Sequence, residues 1–178
     1  GQAMLNLLER GNLFIIPLDD HREWYRYHHL FAEVLRTRLA LEESAQVAAL
    51  HRTASAWYQD HDWPHAAIHH ALLAEDFDHA AALLEYVWPD METSSQSATW
   101  LGWAQKLPAD VSHMRPLIAA GIAWALLDKG ELDTSEDWLD CSDRALESAD
   151  PIIDNEMMRR FLPGLIAAAR TYRALALE

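Results

Sequence analysis

The chain is poor in cysteine, in basic residues and in long apolar runs, and each shortage excludes something. Its single cysteine, Cys141, rules out an internal disulfide framework and a multi-cysteine zinc site, and it fits a reducing cytoplasm. Lys and Arg number 14 against 28 Asp and Glu, a formal net charge of −14. Nucleic-acid affinity rests largely on cations that neutralise phosphates, so no direct nucleic-acid contact is expected of this segment. No apolar run approaches the ~20 residues of a membrane span and no signal peptide opens the chain, so no membrane partner is expected. Glycines are few, and none are spaced as a phosphate-binding GxxxxGK[ST] loop; GxSxG and HExxH are also missing. No catalytic residue, metal or cofactor is therefore expected in this segment, and it does not read as an enzyme.

What is present is enough apolar material for a core: 51% of 178 residues are hydrophobic, among them eight tryptophans. Trp63, Trp88, Trp100 and Trp103 are candidates for a ligand or partner surface, because aromatics anchor interfaces as well as cores. One stretch has a period of two. Phe14-Ile15-Ile16 closed by Pro17, then Asp19-Asp20, then Trp24 to Tyr27, reads as a two-stranded hairpin. It lies between a helix over Ala3 to Arg10, stopped near Gly11, and a helix from about His28 with Phe31, Val34, Leu35 and Leu39 on one face. That order matches the back half of a winged-helix module. Arg36 and Arg38 read as a solvated face.

After residue 41 the pattern is helical throughout. Val47, Leu50, Ala54, Trp57 and Tyr58 give a stripe from Glu43 to Asp60; Pro64 opens the next helix, with Ala67, Ile68, Ala71 and Leu72 inward. Asp76 caps a third, expected to end before Pro89, and Ser94 or Ser95 caps a fourth that carries Trp100 and Leu107. Pro116 opens a helix with Ile118, Ile122, Ala125 and Leu126 inward until Gly130, and Asp133 caps another through Ser135, Leu139 and Ser142. Asp150-Pro151 reads as a turn. The last segment, from Asn155, carries Met158, Phe161, Leu165, Ala169 and Tyr172, with Pro163-Gly164 kinking or splitting it. Asp76 to Ala80 and Leu84 echo Glu131 to Ser135 and Leu139 at a shift of 55, as a helix-hairpin repeat requires. The fold class is mainly α: a right-handed tetratricopeptide-like helical-repeat stack preceded by a small helix, β-hairpin, helix winged-helix remnant. The domains read as 1–41 and 42–178.

Leu8-Glu9-Arg10, Pro17-Leu18-Asp19, Trp24 to Phe31 and Leu35-Arg36, followed in order by His51-Arg52, Ser55, Trp57-Tyr58, Ala67-Ile68, His70-Ala71 and Leu107-Pro108, resemble the large ATP-dependent transcription activators of the MalT type (STAND class). In that family a nucleotide-binding module is followed by a winged-helix arm, a helical-repeat sensor and a C-terminal LuxR-type helix-turn-helix. The resemblance makes this chain the middle piece of a longer cytoplasmic protein. Its implied partners are the nucleotide module, the helix-turn-helix and a small-molecule or protein effector, and ATP belongs to the module outside this chain. The arm packs on the nucleotide module in this family, so His28 is the candidate for approaching bound nucleotide.

Two readings follow. The first is a non-catalytic segment that couples effector or partner binding to a DNA-binding domain elsewhere in the protein. The second is a stand-alone helical-repeat scaffold for a protein or peptide. Among the histidines, only His65 and His69 form an i, i+4 pair, since Pro64 separates them from His61, and packing or solvation explains them better than a metal. Cys141 reads as a small packing residue.

Overall fold

The computed structural model of the protein describes residues 2–11, 13–42, 44–148, 151–153 and 156–177. The chain divides into two compact units, Gly1–Val47 and Ala48–Glu178, where the sequence reading placed the division after residue 41. That position lies inside the second helix.

The first unit is helix, hairpin, helix: α1 (Gln2–Arg10), β1 (Ile15–Pro17), β2 (Tyr25–Tyr27) and α2 (His29–Glu42). The strands are antiparallel, Ile15 opposite Tyr27 and Pro17 opposite Tyr25. The Asp19 carboxylate ties their turn by accepting from the backbone N–H groups of Glu23 (3.0 Å) and Trp24 (2.9 Å). Slight desolvation pushes the Asp19 pKa up, but these hydrogen bonds outweigh it and hold it below the ordinary value. Phe31 of α2 meets Phe14 and Tyr27 at ring separations of 5.0 and 5.6 Å. Among the described residues of this unit none is buried. Leu30, Val34 and Leu41 lie open along α2, so the expected stripe through Val34 and Leu35 is not an internal one.

The second unit holds α3 (Ser44–Asp60, shared with the first), α4 (Pro64–Leu73), α5 (Phe77–Thr93), α6 (Ser97–Ala104), α7 (Ala109–Met114), α8 (Pro116–Asp128), α9 (Leu132–Leu146) and α10 (Glu156–Ala176). α4 pairs with α5 and α8 with α9, while α5, α6 and α10 close around α8. From Pro116 to Leu127 every α8 residue but Trp124 is buried. A helix that is apolar all round belongs in the middle of a core rather than on one side of it, so the single inward stripe expected here is corrected. Mainly α, with paired helices after a hairpin-bearing unit, is the observed class.

The shift of 55 is structural. α5 and α9 start at corresponding positions, and Ala80 with Ser135, and Leu84 with Leu139, are fully buried pairs. Ahead of each, a left-handed residue ends the previous helix: Glu75 at φ 54° and Gly130 at φ 77°. Asp76 N–H donates to Ala71 O (3.0 Å) and Glu131 N–H to Leu126 O (2.9 Å), the six-to-one bond of a Schellman cap. The ends of α3 and α5 repeat it through Asp62 (φ 58°) and Ser95 (φ 58°), with Trp63 N–H on Tyr58 O and Gln96 N–H on Met91 O. Four helix ends thus share one turn, and in each the residue after the left-handed one is the N-cap position of the following helix.

Other expectations need correcting. α5 runs through Pro89 to Thr93, because burial of Met91, two residues past the proline, offsets much of the ~3 kcal/mol that an interior proline costs. α6 therefore starts at Ser97 behind Gln96, with no side-chain cap. Ser94 Oγ donates instead to Met91 O at the end of α5. α7 was not foreseen, and Glu131 rather than Asp133 stands at the start of α9. α10 continues through Pro163-Gly164 as one helix and buries Leu162, Ile166 and Ala169, leaving Phe161 and Tyr172 outside. In α3 the inward positions are Ser55, half-buried His51 and Tyr58, while Leu50 and Trp57 are exposed. Glu43, Asp150 and Asn155 lie outside the described residues.

Candidate functional site

His28, at the end of the hairpin, has its N–H on Phe14 O (2.6 Å) and its ring 4.5 Å from that of His29. With Arg26, His29 and Arg36 it lines a cavity of about 700 Å³ floored by Ile15 and Ala32. Four groups that carry or accept positive charge therefore converge on one hollow of a strongly acidic chain. The hairpin sets Arg26, and α2 sets Arg36 about two turns beyond His29; sequence reading leaves Arg36 on a solvated face because pairing of strand and helix is not written in spacing.

The four tryptophans separate. Trp100 is 1% exposed and its Nε1–H donates to Leu84 O at 3.0 Å, and Trp88 is 8% exposed. Both are core residues, which corrects their assignment to a partner surface. Gly121 on α8 is where they meet, since a Cβ there would stand 2.6 Å from Trp100 Cη2 and 2.9 Å from Trp88 Nε1. Trp63 is 50% exposed and stacks on Tyr58 at 6.0 Å. Trp103 is half-buried with its ring 5.2 Å from His65.

His65 in turn borders a groove of about 520 Å³ between the end of α3, the start of α4 and α5. Leu83, Val87 and Met91 form its floor, and Asp60, Asp62, Asp90 and Tyr86 its rim. His61 is turned away, its Nδ1 2.7 Å from Trp57 O and its ring stacked on Trp57 at 3.9 Å. His69 lies beside His70 instead. Among the described residues no group of three or more His, Cys, Asp or Glu is placed to hold a metal ion. Cys141 is buried, and burial raises its thiol pKa against the opposing pull of Arg144, which leaves a poor nucleophile. No helix of the described residues is long and apolar enough to cross a membrane.

Helix, hairpin and helix joined to a stack of paired helices define a winged-helix remnant on a helical-repeat unit. Residues 1–47 match the MalT winged helix domain, ending where the first unit ends. The chain is 38% identical over 125 residues to the serine/threonine-protein kinase PknK of Mycobacterium tuberculosis (strain ATCC 25618 / H37Rv), covering 70% of this chain and 11% of the kinase. It is 30% identical over 162 residues to the HTH-type transcriptional regulator MalT of Serratia proteamaculans (strain 568), covering 90% of this chain and 18% of that regulator. MalT of Klebsiella pneumoniae (strain 342) is 35% identical over 113 residues, 60% of this chain and 12% of its own length. No solved structure matches. The chain is a segment of the MalT type, and it spans less than a fifth of the length of these relatives.

Proposed function

We propose that this chain is the non-catalytic coupling segment of a cytoplasmic, ATP-dependent regulator of the MalT type with a LuxR-type DNA-binding domain elsewhere in the protein. The observation that carries the reading is the contrast between the two units. The second has a full core, whereas the 47-residue first unit has no buried residue among its described residues and leaves Leu30, Val34 and Leu41 open. A unit this small gains too little burial by itself, and an uncovered apolar helix face is what an arm seated on a nucleotide module needs. The basic hollow of Arg26, His28, His29 and Arg36 suits the phosphates of a nucleotide held by that module.

The relatives support a role in transmission rather than output. One is named a serine/threonine-protein kinase and the others HTH-type transcriptional regulators, so what they share with this chain is common to proteins named for different outputs. The effector, a small molecule or a protein, is read as binding the helical unit near the groove of Leu83, Val87 and Met91, beside Trp103 and Trp63. Its binding shifts a two-state equilibrium of the arm on the nucleotide module.

The test uses the full-length protein. Leu30→Asp with Val34→Asp, and separately His28→Ala, are expected to change nucleotide retention through purification and to alter reporter transcription, with helix content unchanged by circular dichroism. Wild-type retention and transcription in both variants would refute the coupling role. A thermal-shift screen against sugars, nucleotides and small metabolites locates the effector: a saturable shift lost in Trp103→Ala or Trp63→Ala supports this groove.

A further inference from the structure

α3 and α4 meet through two imidazoles. His51 Nδ1 lies 2.8 Å from His70 Nδ1, with ring centroids 5.0 Å apart, and both rings are half-buried. Tyr58 stacks flat on His70 at 5.3 Å and 7°. One turn further along, Ser55 Oγ donates to Ala67 O at 2.8 Å, so the same helix pair is fastened twice. The second fastening does not titrate.

A 2.8 Å contact between two ring nitrogens is a hydrogen bond in only some protonation states. In the neutral pair one ring carries its hydrogen on Nδ1 and donates, while the other presents its Nδ1 lone pair. A first added proton settles on the donor ring's Nε2, far from the contact, and leaves the bond in place. A second has to occupy the accepting Nδ1. Two N–H groups then point at each other across 2.8 Å, each on a cationic ring, and the contact cannot persist.

The surroundings offer no relief. Among the described residues, His69 on α4 lies against the His70 ring and Tyr58 of α3 stacks on it, and Arg52 follows His51 on α3. Asp76 is taken up by Arg52 at 3.8 Å, and among the described residues no carboxylate pairs with either imidazole. Burial first, then neighbouring imidazoles, holds both histidines below their ordinary value. His51 also stands one turn past Val47, on the helix that the two units share.

We propose that the His51–His70 contact is an acid-sensitive latch whose double protonation releases the first half of α3 from α4. The sign follows from linkage. Groups whose folded pKa lies below the unfolded value of 6.5 supply their stability above that pH and lose it as the pH falls, because the open state binds more protons.

The test is hydrogen exchange of the 178-residue chain from about pH 7.5 to about pH 5, corrected for intrinsic rates and run in excess EDTA, which removes any trace metal bridging the rings. Amides of the first half of α3, from Ala48 to Arg52, are expected to lose protection by roughly tenfold or more per pH unit as the pH falls below about 6.5, while those of α8 do not. His70→Asn, which keeps a short polar group near the Nδ1 position without titrating there, is expected to flatten the profile, and so is His51→Asn. A flat wild-type profile, or a slope retained in both variants, overturns the latch. Should neither variant fold by circular dichroism, imidazole titration of the wild-type chain by NMR decides. Two separated steps support the latch, and two independent titrations near the ordinary value overturn it.

Discussion

Gly121→Ala tests the packing at the centre of the helical unit. In most helices alanine is better than glycine by about 1 kcal/mol, because glycine surrenders more backbone freedom. Here the added Cβ would stand 2.6 Å from Trp100 Cη2, 2.9 Å from Trp88 Nε1 and 3.0 Å from Trp88 Cδ1. Neither indole has room to retreat: both are buried, and Trp100 is fixed by its Nε1–H on Leu84 O. Overpacking of this kind costs ~1–3 kcal/mol, and a Trp100 that swings away forfeits a buried hydrogen bond worth ~1 kcal/mol. The clash therefore outweighs the propensity gain, and a net destabilisation of about 1–3 kcal/mol is expected. Urea unfolding followed by tryptophan fluorescence should show it, as should a melting temperature lower by ~2–4 °C for each kcal/mol. Trp100→Phe removes the ring edge that the new methyl meets, so in the double variant the two costs should be sub-additive by ~1 kcal/mol. A Gly121→Ala chain as stable as the parent, or more so, would refute the reasoning.

The same substitution at Gly164 should act in the opposite direction. This α10 position is exposed with nothing within 4 Å of a new Cβ, so Gly164→Ala should raise the urea midpoint, equivalent to ~0.5–1 kcal/mol. Glu75 and Ser95 hold left-handed backbone at φ 54° and 58°, and Glu75→Gly or Ser95→Gly should stabilise by up to ~1 kcal/mol in the same assay. Arg115 and Glu85 form a pair 3.3 Å apart with both side chains 7% exposed. Arg115→Met strands a buried carboxylate and should cost ~3–5 kcal/mol by denaturant unfolding, much of it recovered by adding Glu85→Leu. Arg170 reaches Glu136, Asp140 and Asp143 at 3.1, 2.7 and 2.6 Å on a part-exposed surface. Arg170→Leu should cost ~1 kcal/mol or less at ordinary salt, and less again at high salt, read from thermal melts at two ionic strengths.

How far the candidate sites were legible depends on whether they lie within one element. His28, Trp63 and Trp103 could be singled out because hairpin ends and tryptophans advertise themselves. The hollow that joins His28 to Arg26 and Arg36 needs the strand and α2 folded back on one another, and the His51–His70 contact spans nineteen positions between two helices. Trp88 and Trp100 show the converse. Their chemistry suits a core or an interface equally, and only the approach of Gly121 across helices places them inside.

Local chemistry alone determined the hairpin, from β-branched residues, a proline and an aspartate turn; the starts of α4 and α8, from Pro64 and Pro116; and the repeat at 55, from small residues at fixed offsets. These are properties of neighbours along the chain. Tertiary structure decided which side of each helix turns inward, because adjacent apolar residues such as Phe161 and Leu162 are separated by only ~100° of helix rotation and either could face the core. It decided that α5 continues past Pro89, since burial on the far side offsets one missing hydrogen bond. It also decided that Asp62, Glu75 and Ser95 take a left-handed turn that glycine alone announces in a sequence, because the packed helix pairs compensate for the strain.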